Sequence, residues 1–465
     1  MPVELTERTL RDTVAVLGEW EPDGARAAES ALGWMGWEGD GPLLLRRYDV
    51  QLFVWYQLPR KFLAPLEHKR EAAGALARLL ERLGGRAATY AEVCRSSETD
   101  QLLRAWEEED PDAWPRFHEL LEGSGIEPPD TASLAWGRVM GLEEARVREQ
   151  VALALEQAIE EGRLCPGTRG FRRRQAEAAE AALREPWDGG DGLTRIQAVH
   201  AERMEGWLQR GHTRGSPERR AIVERVAAVV AADAQAIEPD LARTALAPAM
   251  WLLERARDGI ALTQTGALNR ALVREIVERW PGWWDTDLFG APNREDEVAL
   301  LHELHHLLRR LRLVRRAGRR IVITTRGGQL AESPPELLLA LSEALFARES
   351  FSATCAELAG ALMLDGAEAD YSRTLAGAIH PAIVAEGWQS DGESPSERDV
   401  AWAVADFLRP AESIGLLRRG KGASRYSRDP LFLAPAGRVG IAAGLRARGL
   451  APATGPFYAK APRVL

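Results

Sequence analysis

Lysine is nearly missing from this chain of 465 residues: Lys61, Lys69, Lys421 and Lys460 stand against 56 arginines. With the many alanines and glycines, that imbalance points to a GC-rich genome and carries no function by itself. Cysteine is also scarce. Cys94, Cys165 and Cys355 lie far apart with no C-x-x-C spacing, which excludes a disulfide framework or a cysteine-based zinc site and suits a reducing compartment. No apolar run approaches the ~18 residues of a membrane-crossing helix. The opening residues MPVELTERTLRDTVAVLGEW are polar and acidic, unlike a signal peptide. These absences predict a cytoplasmic protein with no membrane partner. A global positive charge is lacking too, since the formal net charge is -9.

What is present is ordinary globular material, 45% hydrophobic and 28% charged. The length calls for about three domains. Residues 1–210 read as a helical N-terminal domain. In 71–83, Ala72, Leu76, Leu79, Leu80 and Leu83 form one stripe ended by Gly84-Gly85, and a second stripe runs through 142–160. The aromatic-rich 42–57 fits a buried helix or a strand. Gly-rich 189–192 is a turn, because no Gly-Lys-Ser/Thr of a phosphate loop follows.

Beyond the polar boundary at 209–217 the pattern becomes more regular. A helix over 246–257 leads to a short strand at 260–263, and Asn269 caps a second helix that Pro281-Gly282 stops. A third helix spans about 295–312, with Val298, Leu301, Leu304, Leu308 and Leu311 at three- and four-residue steps. It runs into Leu313-Val314, a turn at Ala317-Gly318, and Ile321–Thr324. Helix, strand, helix, helix, hairpin is the order of a winged helix. The ending recurs at 396–417 and 431–438, offset by 103 residues from Leu313 to Leu416. The expected architecture is therefore mainly α: an N-terminal helical domain, then two winged-helix-like domains (218–330 and 331–465) with short β-hairpins.

The stretch 262–327, from LTQTGALNRALVREIVERW to EDEVALLHELHHLLRRLRLVRRAGRRIVITTRG, resembles a C-terminal region of uncharacterised actinobacterial proteins, some with a plasmid pRiA4b ORF-3-like domain in front. The resemblance covers about the last half of the chain and implies a tandem winged-helix region, with no activity attached to it. Nothing in the N-terminal half resembles the ORF-3-like domain.

Two chemistries meet at 295–327. His302-Glu303-Leu304-His305-His306 satisfies H-E-x-x-H, in which His302 and His306 would hold zinc and Glu303 would act as base. A third ligand is wanting: Arg309 and Arg312 occupy the positions where the metzincin extension needs Gly and His. Between Leu301 and Leu330, eight arginines face one acid, Glu303, and clustered cations oppose a bound dication. The leading expectation is thus a non-catalytic DNA-binding or regulatory protein without a cofactor. Its contacts would come from Arg309, Arg312, Arg315, Arg316, Arg319 and Arg320 in the first module, and from Arg418, Arg419, Lys421 and Arg425 in the second. The alternatives are a protein-interaction scaffold of the same fold, with a protein partner or a homo-oligomer, and a zinc hydrolase using His302, Glu303 and His306. Trp283-Trp284 would pack between helices rather than stack on bases, and Cys94 and Cys165, lacking a neighbouring histidine, read as structural thiols.

Overall fold

Helix dominates, as the apolar spacing predicts, and strands are confined, among the described residues, to three small antiparallel sheets. The computed structural model describes residues 3–37, 41–190, 192–210, 216–232, 237–284, 292–347, 350–367, 373–389, 392–420 and 430–453. Chain contacts divide it into two units, residues 1–136 with 140–199, and 137–139 with 200–465. Among the described residues no helix is long and apolar enough to cross a membrane.

In the first unit the stripe at 71–83 lies within the helix Leu66–Leu83, which buries Leu76, Leu79 and Leu80 and ends at Gly84. That glycine has φ 71°, a left-handed value that a side chain would resist. The second stripe is the helix Leu142–Glu160, burying Val147, Val151 and Leu155. The ambiguous 42–57 becomes both alternatives in turn. Leu43–Leu45 pairs antiparallel with Val3–Leu5, and the chain then turns helical, with π-type bonding over Phe53–Gln57.

The second unit carries the features that matter for function. Its elements from Ala247 onward are α1 (Ala247–Arg257), β1 (Ile260–Ala261), α2 (Arg270–Arg279), α3 (Ala299–Arg310), β2 (Val314–Ala317), β3 (Arg320–Ile323), α4 (Thr325–Glu332), α5 (Pro334–Phe346), α6 (Phe351–Leu364), α7 (Arg373–Ala385), α8 (Glu397–Ser413), β4 (Leu417–Arg419), β5 (Leu431–Leu433) and α9 (Pro435–Leu450). Asn269 caps α2 by accepting from the Leu272 amide at 3.0 Å. Ser396 and Asp399 form a capping box at the start of α8. β3 is central in the three-stranded sheet, pairing with β2 on one side and with β1 on the other.

The two hairpins follow equivalent helix ends, and the equivalence extends to single hydrogen bonds. After α3, the amides of Leu311, Arg312 and Leu313 bond the carbonyls of Leu307, Arg309 and Leu308; after α8, those of Ile414, Gly415 and Leu416 bond Pro410, Glu412 and Ala411. Every member of the second set lies 103 positions beyond its counterpart. Each hairpin then returns so that one amide, of Thr324 or Ala434, bonds the carbonyl of Leu313 or Leu416 at 2.9 Å. Gly327 and Gly437 follow against those same carbonyls. A Cβ at either glycine would overlap the oxygen. α3 and α8 also pack against each other.

One continuous set of buried apolar side chains, from Met204 to Leu445, forms the core of this unit and spans both hairpin-bearing segments. A charged cluster sits inside it. Glu357, on α6, accepts from the Trp207 indole at 2.7 Å and from the guanidinium groups of Arg219 and Arg448. Arg219 lies 3.3 Å from Glu386, which accepts from the Trp388 indole at 3.0 Å. All four charged residues are buried. Burial opposes ionisation of Glu357, yet the flanking Arg219 and Arg448 outweigh it and hold the carboxyl at about 2. Burial prevails at Glu386, pushed up to about 7.

Candidate nucleic-acid interface

α3 supplies one part of the candidate surface. Leu300, Leu301, Leu304, Leu307 and Leu308 are buried, a wider face than a simple a/d stripe. The helix starts at Ala299, later than its apolar spacing suggests. A 3-10 turn at Glu295–Glu297 precedes it, and Val298 breaks the run at φ -112°, ψ 84°. The cause is Glu295, whose carboxylate is turned inward, accepting from the Leu268 amide at 2.6 Å and meeting His305 Nδ1 at 2.6 Å. Burial raises the Glu295 carboxyl, but the His305 hydrogen bond and charge bring it below the ordinary carboxylate range.

His305 is therefore committed to Glu295. His302, half-buried with its Nδ1 3.8 Å from the same Glu295 oxygen, and exposed His306 have ring centroids 4.3 Å apart. The H-E-x-x-H spacing does bring two imidazoles together, but among the described residues no group of three or more His, Cys, Asp and Glu side chains is placed to hold a metal ion. A zinc hydrolase requires that third ligand. Among the described residues that third ligand is not in place beside His302 and His306. Glu303 is pushed above the ordinary carboxylate range by burial, with His302 and Arg409 pulling the other way. Burial, then the neighbouring His302, lowers His306.

The hairpin supplies the other part. Cross-strand pairs Arg315–Val322, Arg316–Ile321 and Ala317–Arg320 leave a two-residue loop, Gly318-Arg319. Gly318 has φ 61° at the first loop position, as a type II′ turn requires. Arg316 Nε donates to the Gly318 carbonyl at 2.8 Å, bracing the tip. Arg309, Arg312, Arg315, Arg316, Arg319 and Arg320 are all exposed, and the structure brings them together at the end of α3 and along β2 and β3. With Arg326 they form no salt bridge among the described residues. Elsewhere arginines are commonly paired, as in Arg95–Glu81, Arg148–Glu127, Arg195–Glu185 and Arg255–Glu275.

The second hairpin is less free. Arg418 is exposed, its guanidinium 6.0 Å from the Phe432 ring centre. Arg419 is held by Glu412 at 2.7 Å, an ion pair that the sequence spacing did not signal. Lys421 and Arg425 lie outside the described residues. Trp283 packs beside Trp280, at 6.1 Å between ring centres, and Trp280 meets Trp251 at 5.6 Å. Residue spacing also missed the Glu295–His305 pin and the Arg219–Glu357–Arg448 cluster. A signal existed for the latter: Glu357 is the sole charge in the apolar helix FSATCAELAGALML, where an acid needs a buried partner.

Residues 241–336, from before α1 to the first turn of α5, match the family described as the Y4jL N-terminal domain. No curated protein and no solved structure matches the chain. The family match takes in α1 to α4 and the whole arginine-bearing hairpin.

Proposed function

We propose that this protein is a non-catalytic DNA-binding or regulatory protein, built on two winged-helix modules of which the first makes the principal contact. In the first module α1, α2 and α3 are the three helices and β1–β3 the wing, an arrangement that agrees with a helix presenting its end to the major groove and a hairpin lying on the backbone. The observation that carries the reading is the exposed set Arg309, Arg312, Arg315, Arg316, Arg319 and Arg320, which form no salt bridge among the described residues. Guanidinium groups already paired within the chain gain little from a phosphate, whereas unpaired ones gain a charge-assisted hydrogen bond and release counterions. In the second module Arg418 is the described residue best placed to add to the contact. Tandem winged helices in a cytoplasmic protein, as the actinobacterial resemblance implies, are part of the same proposal.

Retention on duplex DNA should fall steeply with salt, with a log-log slope of about -0.9 per phosphate contacted. Replacing Arg315, Arg316, Arg319 and Arg320 together by Ala should flatten that slope by about three to four units. Absence of salt-dependent retention at low ionic strength would remove the reading. One observation favours a protein-interaction scaffold instead. Trp402 on α8 is 59% exposed, with the Arg398 guanidinium 4.7 Å from its ring centre, and such Trp–Arg pairs are frequent interface anchors. Sedimentation of the parent and of Trp402→Ala separates the two: a scaffold that self-associates through α8 dissociates on that substitution.

A further inference from the structure

The outer face of α3 also borders a cleft of about 580 Å³ between α3 and α8, walled by His302, Glu303, His306, Arg309 and Arg310 on α3 and by Pro410 on α8. We propose that this cleft is a binding site for a small oxyanion, a phosphorylated or carboxylated metabolite, adjoining the hairpin surface and sharing Arg309 with it. Its volume lies in the range of small-molecule sites, roughly 300 to 1,000 Å³. Its polar groups are graded along the helix: His302 and Glu303 at one end, His306 about 6 Å beyond His302 at 1.5 Å per residue, and Arg309 and Arg310 one turn further on. Arg309 has no carboxylate partner among the described residues. Arg310 is anchored by donating to the Ala344 carbonyl at 2.8 Å, which fixes its charge at the cleft wall. His306, one turn before Arg309 and Arg310, offers an N–H donor beside these cations, and Leu307 and Pro410 provide the apolar contact that an organic ligand needs. The H-E-x-x-H spacing is thereby explained without a metal, because histidines at i and i+4 place two donors on one helix face. The same oxyanion chemistry exists in a DNA backbone phosphate, so the test must tell a free anion from a duplex.

Calorimetric titration of inorganic phosphate into the full chain at constant ionic strength should give a saturable one-site isotherm. Arg309→Ala should weaken it about tenfold or more, the loss of one charge-assisted hydrogen bond, and His302→Ala with His306→Ala should weaken it further. Arg274→Ala, exposed on α2 and outside the cleft, should leave it unchanged. No saturable heat beyond a chloride control would overturn the proposal, as would equal weakening by Arg274→Ala. Weaker duplex binding in Arg309→Ala with no phosphate isotherm would also overturn it, assigning Arg309 to the DNA backbone. A phosphate isotherm without duplex binding would leave the cleft standing while removing the function proposed above.

Discussion

Glu357 and Glu386 sit in one buried cluster yet respond to pH in opposite directions. Glu357 is held at about 2, below its unfolded value. Its stabilising contribution is complete above the ordinary carboxylate range and is lost as pH falls from there towards 2. Glu386 stands at about 7, above its unfolded value. Its folded form retains a proton that the unfolded form releases, so stability falls as pH rises from the ordinary carboxylate range through 7. Denaturant unfolding should therefore show parent stability dropping between pH 5 and pH 8, and Glu386→Gln should flatten that decline. Glu357→Ala leaves Arg219 and Arg448 buried without their carboxylate and should cost about 3 to 5 kcal/mol at pH 7. A loss below about 1 kcal/mol would contradict the cluster as described. Neither group was legible as a pair in the sequence, because Arg219, Glu357 and Arg448 are separated by more than 90 positions at each step.

At the scale of elements, the two helix-to-hairpin joints put different residue types at the one left-handed position. Arg312 adopts φ 55° where its counterpart Gly415 has φ 73°. A non-glycine residue in that region carries roughly 1 kcal/mol of strain, so Arg312→Gly should raise unfolding stability by about that amount while weakening duplex retention. The reciprocal change is not tolerated. A Cβ on Gly415 would overlap the Ala245 carbonyl oxygen, so Gly415→Ala should lower the melting temperature markedly. Gly327→Ala should do the same at the first hairpin, where the Leu313 carbonyl already bonds the Thr324 amide and has nowhere to move. The repeat itself was legible, since Leu313-Val314-Arg315-Arg316 and Leu416-Leu417-Arg418-Arg419 share residue types at fixed spacing. What spacing could not reveal is that Glu412 ties up Arg419 whereas, among the described residues, no carboxylate forms a salt bridge with Arg315 or Arg316.

At the scale of the whole molecule, the boundaries of family similarity and of the core do not coincide. The match ends at residue 336, but the core containing Leu301, Leu304 and Leu308 continues through Leu337, Leu341, Phe346, Val404 and Phe407. Each buried leucine or phenylalanine side chain contributes roughly 1.5 to 3 kcal/mol by leaving water. A fragment limited to 241–336 should consequently lack a cooperative thermal transition and near-ultraviolet circular dichroism. A sharp melt of that fragment would show that its apolar surface suffices alone.

Local pattern by itself determined the mainly helical class, the helix ends at Gly84 and Asn269, the hairpin turn at Gly318 and the 103-residue repeat. Apart from the repeat, which shows as the same local pattern met twice, these depend on residues within a few positions of one another, where periodicity, capping and left-handed φ act directly. Tertiary structure alone decided which titratable groups meet. It turned Glu295 inward to His305, with His302 Nδ1 3.8 Å from the same oxygen, and left only His306 of the three imidazoles exposed. It also set α8 beside α3 to form the cleft, and left Arg312, Arg315, Arg316, Arg319 and Arg320 without a salt bridge among the described residues. The physical reason is that desolvation and charge pairing depend on distance in space, which position along the chain does not encode, whether the partners lie 10 residues apart, as Glu295 and His305 do, or 91, as Glu357 and Arg448 do.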